Sequence, residues 1–137
     1  MDTWISASAS GIGAHLLYFV ISVGIGILFV AIYTAITPYR EITLIRHGNT
    51  AAAISLGGAL LGFTCPLAQA VAQSGNLTDM LIWSGVALVV QLFAFLITRL
   101  TLQHLSADVN EGKIAPGVFL AAVSIAVGIL NAAAMAD

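Results

Sequence analysis

The sequence predicts an all-α membrane protein with four transmembrane helices, arranged as two helical hairpins of the same orientation. Of its 137 residues, 60% are hydrophobic and only 7% are charged, against roughly 25% in ordinary soluble domains. Four windows contain no Asp, Glu, Lys or Arg: 3–39, 47–78, 80–98 and 114–136. Each is near or above the ~20 residues that a helix needs to cross a bilayer. We therefore expect one integral membrane domain over residues 1–137 and no separate catalytic domain.

Prolines, glycines and polar caps set the helix boundaries. Helix 1 should end before Pro38, because proline disfavours helical geometry in the residue before it. Helix 2 should begin after Asn49, a typical N-cap residue, and end at the polar turn 74–76. Helix 3 should begin at Asp79, and helix 4 at Pro116, which suits the first helical turn. The predicted helices cover residues 12–36, 50–73, 79–103 and 116–135.

The basic residues predict the orientation, since cytoplasmic loops of membrane proteins are enriched in Lys and Arg. All of them lie in or beside the connection between helices 1 and 2 or the connection between helices 3 and 4, which are on the same side of the membrane: Arg40, Arg46, Arg99 and Lys113. We expect residues 37–49 and 104–114 to face the cytoplasm. Both termini and the turn 74–78 should face outward.

Small residues recur with helical spacing, and the two hairpins repeat the pattern. The set on helix 2 recurs on helix 4 after 66 residues: Ala51, Ser55, Gly58, Gly62 and Gly117, Ala121, Ser124, Gly128. Ser22 and Gly26 give helix 1 a shorter version. Each set occupies one helix face and lets two backbones approach closely. The contact is either internal packing of the bundle or a homo-oligomer interface, and the repeat predicts hairpins related by a pseudo-two-fold axis along the membrane normal.

Neutral polar residues within the spans are the candidates for a pathway, because polar groups are costly in lipid. They are His15, Gln69, Gln73, Ser84, Gln91, Thr98 and Asn131. Ser84, Gln91 and Thr98 recur every seven residues and therefore share nearly one face of helix 3. The remaining four should form an outer vestibule with Ser84. The alternative is interhelical hydrogen bonding, and the lack of charge near the bilayer centre argues against a proton-coupled exporter.

The first connection holds the candidates for contact with a soluble partner or with anionic lipid: Arg40, Glu41, Arg46, His47 and Asn49. In the second connection His104, Asp108 and Glu111 have spacing compatible with a metal site, but a hydrated loop is the preferred interpretation. A single cysteine, Cys65, excludes an internal disulfide. No nucleophile elbow, zinc-protease motif or phosphate-binding loop occurs, so we predict no catalytic residues, cofactor or metal.

One stretch of the sequence resembles a known family. It contains Thr37-Pro38-Tyr39-Arg40-Glu41, then Ile45-Arg46-His47-Gly48-Asn49-Thr50-Ala51-Ala52-Ala53-Ile54, and finally Gly57-Gly58-x-x-x-Gly62. These residues resemble the bacterial inner-membrane family called domain of unknown function 350, or YjfL-like, whose four-span organisation is also similar. The resemblance implies a bacterial inner-membrane location and assigns no activity.

Two classes of function follow as hypotheses. In the first, the protein is a non-enzymatic scaffold or accessory subunit that presents its cytoplasmic loops to a soluble partner. In the second, it is a small oligomeric channel or transporter with a neutral polar pathway. The expected partners are the lipid bilayer and either further copies of the chain or a cytoplasmic protein, with no nucleic acid.

Overall fold

The protein is all-α in the computed structural model, which describes residues 2–37, 40–101 and 104–136, with side chains from residue 11 onward. The helices are α1 (Asp2–Ile36), α2 (Glu41–Arg46), α3 (Thr50–Gln73), α4 (Leu77–Thr101), α5 (Leu105–Asn110) and α6 (Ile114–Met135). Within these described ranges, four segments are long and apolar enough to cross a membrane, namely Gly11–Ile36, α3, α4 and α6. The predicted class, an all-α protein with four transmembrane helices, is confirmed.

Some helix ends differ from the prediction. The first helix begins at Asp2 and not at residue 12, because its apolar span continues into a run of serine and alanine that contains no proline. The third span begins at Leu77, since the Asn76 side chain accepts a hydrogen bond from the Asp79 amide at 2.8 Å and caps the helix. The last begins at Ile114, two residues before the proline. The predicted end at residue 103 lies outside the described residues.

Helices α3 and α6 form the most extensive helix–helix contact, and α3 is the most buried of the four spans. Gly58 lies against Ala121, Gly62 lies against Ser124, and Gly117 lies against Ala51. The contacting positions advance together along both helices, so α3 and α6 run parallel. The two small-residue faces predicted from the sequence therefore meet inside one chain. The internal repeat itself stays a prediction.

Contacts between aromatic rings attach the second half of α1 to α3 and α4. The Phe29 ring lies parallel to Phe63 of α3, with centroids 4.4 Å apart. Tyr33 meets Phe95 of α4 edge-on at 5.4 Å. Such pairs contribute about 0.5–1.5 kcal/mol beyond the area they bury. The part of α1 between residues 11 and 28 is largely exposed in the single chain.

Both connections on the α2 and α5 side contain a short helix where the sequence predicts a loop. A glycine with positive φ lies two residues after the end of each short helix, with φ of 84° at Gly48 and 81° at Gly112. The Gly48 amide donates to the Ile45 carbonyl at 2.9 Å, and the Gly112 amide donates to the Val109 carbonyl at 3.0 Å. Glycine adopts this left-handed conformation without the steric cost that a Cβ would add. The two connections thus end in the same local geometry.

Candidate functional site

Asn49 joins the two connections through both ends of its side-chain amide. Its Oδ1 accepts a hydrogen bond from the Ala52 amide at 3.0 Å and caps α3. Its Nδ2 donates to the carbonyl oxygens of Val109 at 2.8 Å and Asn110 at 3.3 Å, at the end of α5. The bond to Asn110 satisfies a carbonyl at the helix end, whereas the Val109 carbonyl also accepts a hydrogen bond from the Gly112 amide. Asn49 was a candidate for partner contact, but its polar groups are used within the chain.

The exposed face of α2 is basic with one apolar side chain at its centre. Arg40, Arg46 and His47 are exposed, and Ile42 retains 50% of its accessible surface. We call these four residues the α2 surface. Neither arginine has an ion-pair partner among the described residues. Glu41 differs from the expectation, because it is only 1% exposed and points into the protein.

The connection at α5 carries a different charge arrangement. The Lys113 Nζ lies 3.3 Å from an Asp108 carboxylate oxygen and 3.6 Å from a Glu111 oxygen. The Asp108 hydrogen bond, followed by the charges of both carboxylates, raises the pKa of Lys113 above its ordinary value. Asp108 and Glu111, two of the three residues whose spacing is compatible with a metal site, thus form ion pairs with Lys113. No group of three metal-ligating side chains occurs in the part of the chain described.

The polar face of α4 points into the bundle. Gln91 is 1% exposed, and its Nε2 donates to the Ser124 carbonyl of α6 at 2.8 Å, whereas its Oε1 has no partner among the described residues. The Thr98 hydroxyl donates to Ala94 of its own helix at 2.9 Å. The Ser84 hydroxyl is buried beside an apolar cavity of about 130 Å³ and has no hydrogen-bond partner among the described residues. Gln91 and Thr98 are thus each bonded to a backbone carbonyl, whereas Ser84 faces a cavity.

A polar cavity of about 180 Å³ lies at the end of the bundle away from α2 and α5. Its polar and aromatic lining comes from the end of α3 and the first turns of α4: Gln69, Gln73, Ser74, Asp79 and Trp83. Ala70, Ala134 and Met135 complete its wall. We call this space the Gln69–Trp83 cavity. It lies near the depth predicted for the vestibule.

The composition of this cavity differs from the prediction. Of the predicted vestibule residues, Gln69 and Gln73 line it. His15 is exposed on α1, where its ring stacks on Phe19, and Ser84 faces the separate apolar cavity. Asn131 is half-buried on α6 outside the lining. The position of a residue in the sequence predicts its depth in the membrane. The direction in which its side chain points depends on which helices are neighbours, and the sequence does not show this.

Asp79 and Trp83 were missed as site residues, although they lie four positions apart and therefore on one helix face. Their association with the glutamines of α3 follows from the short turn between the helices, which brings the end of α3 next to the start of α4.

The small residues of α1 do not make the close contact expected of them. A Cβ added to Gly26 would meet nothing within 4 Å. The Ser22 hydroxyl donates to the Phe19 carbonyl of its own helix at 2.7 Å. Both positions border open grooves between α1 and α3. Of the predicted packing residues, those of α3 and α6 pack closely, and those of α1 do not.

Comparison with known proteins gives one family and two named relatives. A family model described as Domain of Unknown Function (DUF350) matches residues 7–135. The UPF0719 inner membrane protein YjfL of Escherichia coli (strain K12) is 41% identical over 118 residues, which cover 86% of this chain and 89% of the relative. The UPF0719 transmembrane protein YshE of Bacillus subtilis (strain 168) is 24% identical over 118 residues, covering 85% and 88%. No solved structure shows a significant match.

Proposed function

The chain belongs to the DUF350 family, and we propose that this multi-pass inner-membrane protein is an accessory subunit that presents the α2 surface to an acidic soluble protein. The observation that carries the proposal is the pair of exposed arginines, Arg40 and Arg46, which flank an exposed Ile42 and have no ion-pair partner among the described residues. Unpaired basic groups around an apolar side chain favour an acidic partner with an apolar contact at its centre.

The α2 surface is held in a fixed position. Leu44 and Ile45 of α2 pack against the hydrophobic core. Asn49 ties the turn after α2 to the end of α5. A surface that is already ordered loses less conformational entropy on binding than a flexible loop does. This order supports a role for the first connection in recognition and not only in linking two spans.

We propose that the α2 and α5 side faces the cytoplasm and that both termini face outward. The positive-inside rule supports this orientation, because all four basic residues lie at the α2 and α5 side. A phosphatase reporter that is active only outside the cytoplasm should be active when fused after residue 137 and silent when inserted at Gly112. The opposite pair of results would place the α2 surface on the wrong side for a cytoplasmic partner.

An oligomeric channel is the second candidate, and one observation favours it. Ser84 Oγ and Gln91 Oε1 are buried polar atoms without partners among the described residues. Atoms of this kind could form hydrogen bonds with a hydrated solute as it passes. The packing around Gln91 argues in the other direction. Its amide lies so close to Gly62 that a single methyl group would not fit between them. An accessory role therefore has the stronger support.

Comparative capture of soluble proteins tests the proposal. The protein is isolated in mild detergent from cells producing either the parent or Arg40→Glu/Arg46→Glu, and co-purifying proteins are identified. The double variant should lose a specific acidic protein, and raising the salt concentration should weaken its retention by the parent, since salt screens exposed charges. Arg99→Glu is the matched control, because it reverses an exposed charge on α4 at the same end. The reporter fusions confirm beforehand that each variant keeps the parent's orientation.

Solute flux separates the two candidates. Gln91→Leu should leave partner capture intact, because it removes one interhelical hydrogen bond worth about 0.6 kcal/mol. In liposomes the parent should conduct no more than empty vesicles. A solute flux that Gln91→Leu abolishes, together with capture that is insensitive to the arginines, would replace the accessory role by a channel.

A further inference from the structure

We propose that the Gln69–Trp83 cavity binds an alkylammonium group, the charged end of an organic amine. This inference does not rest on the accessory role, since the cavity lies at the end of the bundle away from the α2 surface. The argument comes from the charge at this end, the hydrogen-bonding groups of the lining and the aromatic wall.

The charge of the site selects a cation. Asp79 is the only charged residue at this end among those with described side chains, and all four basic residues of the chain lie at the other end. No described residue forms an ion pair with it. Its own backbone amide is already bonded to the Asn76 side chain at 2.8 Å. An anionic ligand would find no lysine or arginine at this end, whereas a cation would find a carboxylate that has no ion-pair partner among the described residues.

The lining matches an ammonium group in particular. An ammonium has three N–H donors and no acceptor. The Asp79 carboxylate and the amide oxygens of Gln69 and Gln73 provide acceptors around the same cavity. Trp83, whose indole gives the strongest cation–π attraction of the side chains, forms another wall and is 43% exposed. A divalent metal would need several more oxygen ligands and would gain little from the aromatic ring.

The size and the apolar wall indicate a small ligand. A cavity of about 180 Å³ has room for several water molecules or for a short alkyl chain with its charged end. Ala70, Ala134 and Met135 provide apolar contact for the alkyl part. Alkylammonium groups occur both in free amines and in the ethanolamine headgroup of phospholipids. The headgroup also carries a phosphate, and no lysine or arginine lies at this end to pair with it, so the free amine is favoured.

Ligand-observed NMR tests the proposal with butylammonium chloride as the probe. The full chain is placed in phosphatidylglycerol nanodiscs, and saturation transfer to the probe is measured against empty nanodiscs. Asp79→Asn should weaken binding about tenfold, as expected for loss of a hydrogen bond to a charged group. Trp83→Leu should weaken it about threefold through the lost cation–π attraction. Asp108→Asn, which removes a carboxylate at the other end, should leave the signal unchanged.

Two further arms make the result decisive. Asp79→Glu keeps the charge and should retain binding, which separates loss of the site from loss of the fold. Nanodiscs containing phosphatidylethanolamine should leave butylammonium binding unchanged if the ligand is a free amine, and should compete with it if the site takes the lipid headgroup. Saturation transfer that is equal in the parent, Asp79→Asn and Trp83→Leu would overturn the proposal.

Discussion

Replacing Gly62 by alanine should loosen the central contact between α3 and α6. A methyl group on Gly62 would lie 2.5 Å from Gln91 Nε2 and even closer to the Ser124 carbonyl oxygen, the two partners of one buried hydrogen bond. A contact with backbone cannot be relieved by a side-chain rotation, so the helices must separate. The same methyl would also push the Gln91 amide away from its acceptor.

The expected change in the free energy of unfolding is the sum of two destabilising contributions and one stabilising contribution. Overpacking a well-filled interior costs about 1–3 kcal/mol. Loss of the interhelical hydrogen bond from Gln91 adds about 0.6 kcal/mol. Alanine in place of glycine within a helix stabilises the folded state by about 0.5–1 kcal/mol. Gly62→Ala should therefore lower the free energy of unfolding by about 2 kcal/mol.

Two other glycines serve as graded controls. Gly57 lies on the same helix, and a Cβ there would meet nothing within 4 Å, so Gly57→Ala should be neutral or slightly stabilising. A Cβ on Gly117 would lie 2.8 Å from the Ala51 carbonyl oxygen, which predicts an intermediate cost. Reversible unfolding of the three variants in mixed micelles, followed by circular dichroism, measures the order. Equal stability of Gly62→Ala and Gly57→Ala would refute the close approach of α3 and α6.

The connections provide three further predictions. Asn49→Ala should lower the free energy of unfolding by about 2 kcal/mol, because it removes both a helix cap and the bonds to α5, and Asn49→Ser should recover the cap, about half of that loss. Gly48→Ala and Gly112→Ala should each cost about 1 kcal/mol or more in the same unfolding assay, since alanine is strained at positive φ, and the corresponding asparagine variants should cost less. The pKa of Lys113 should fall toward its ordinary value in Asp108→Asn, as followed by nitrogen-15 NMR. Because that pKa is raised in the folded protein, the stabilisation from the ion pair is complete below the ordinary lysine pKa and is lost as the pH rises through the raised value; an unchanged titration in Asp108→Asn would contradict the assigned cause.

The spans and the contact face of α3 and α6 were predictable because both depend on local sequence. Absence of charge over about twenty residues determines that a segment enters the membrane. Small residues at spacings of three and four define a helix face without any knowledge of the partner. The partner face on α6 was recognisable because Gly117, Ala121, Ser124 and Gly128 repeat the spacing found on α3.

The short helices were not predictable in the same way. α2 and α5 have six residues each, fewer than two turns, so their hydrophobic periodicity cannot be distinguished from that of a loop. Their stability comes from tertiary contact, as the full burial of Leu105 and Val109 shows. The burial of Glu41 escaped prediction for a related reason, because a carboxylate beside Arg40 has the sequence pattern of a hydrated surface.

The parallel contact of α3 and α6 has a consequence for biosynthesis. The Gln91 side chain bonds to a backbone oxygen 33 residues later in the chain, so it lacks this acceptor in the membrane until α6 has inserted. Until the final span arrives, a polar amide and the glycine face of α3 are open to lipid or to the insertion machinery. Insertion of α6 therefore completes the packing of α3 and α4, which lack part of their interior contacts before it arrives. A chain that stops before α6 would leave both the Gln91 amide and the glycine face of α3 without their partners on the last helix.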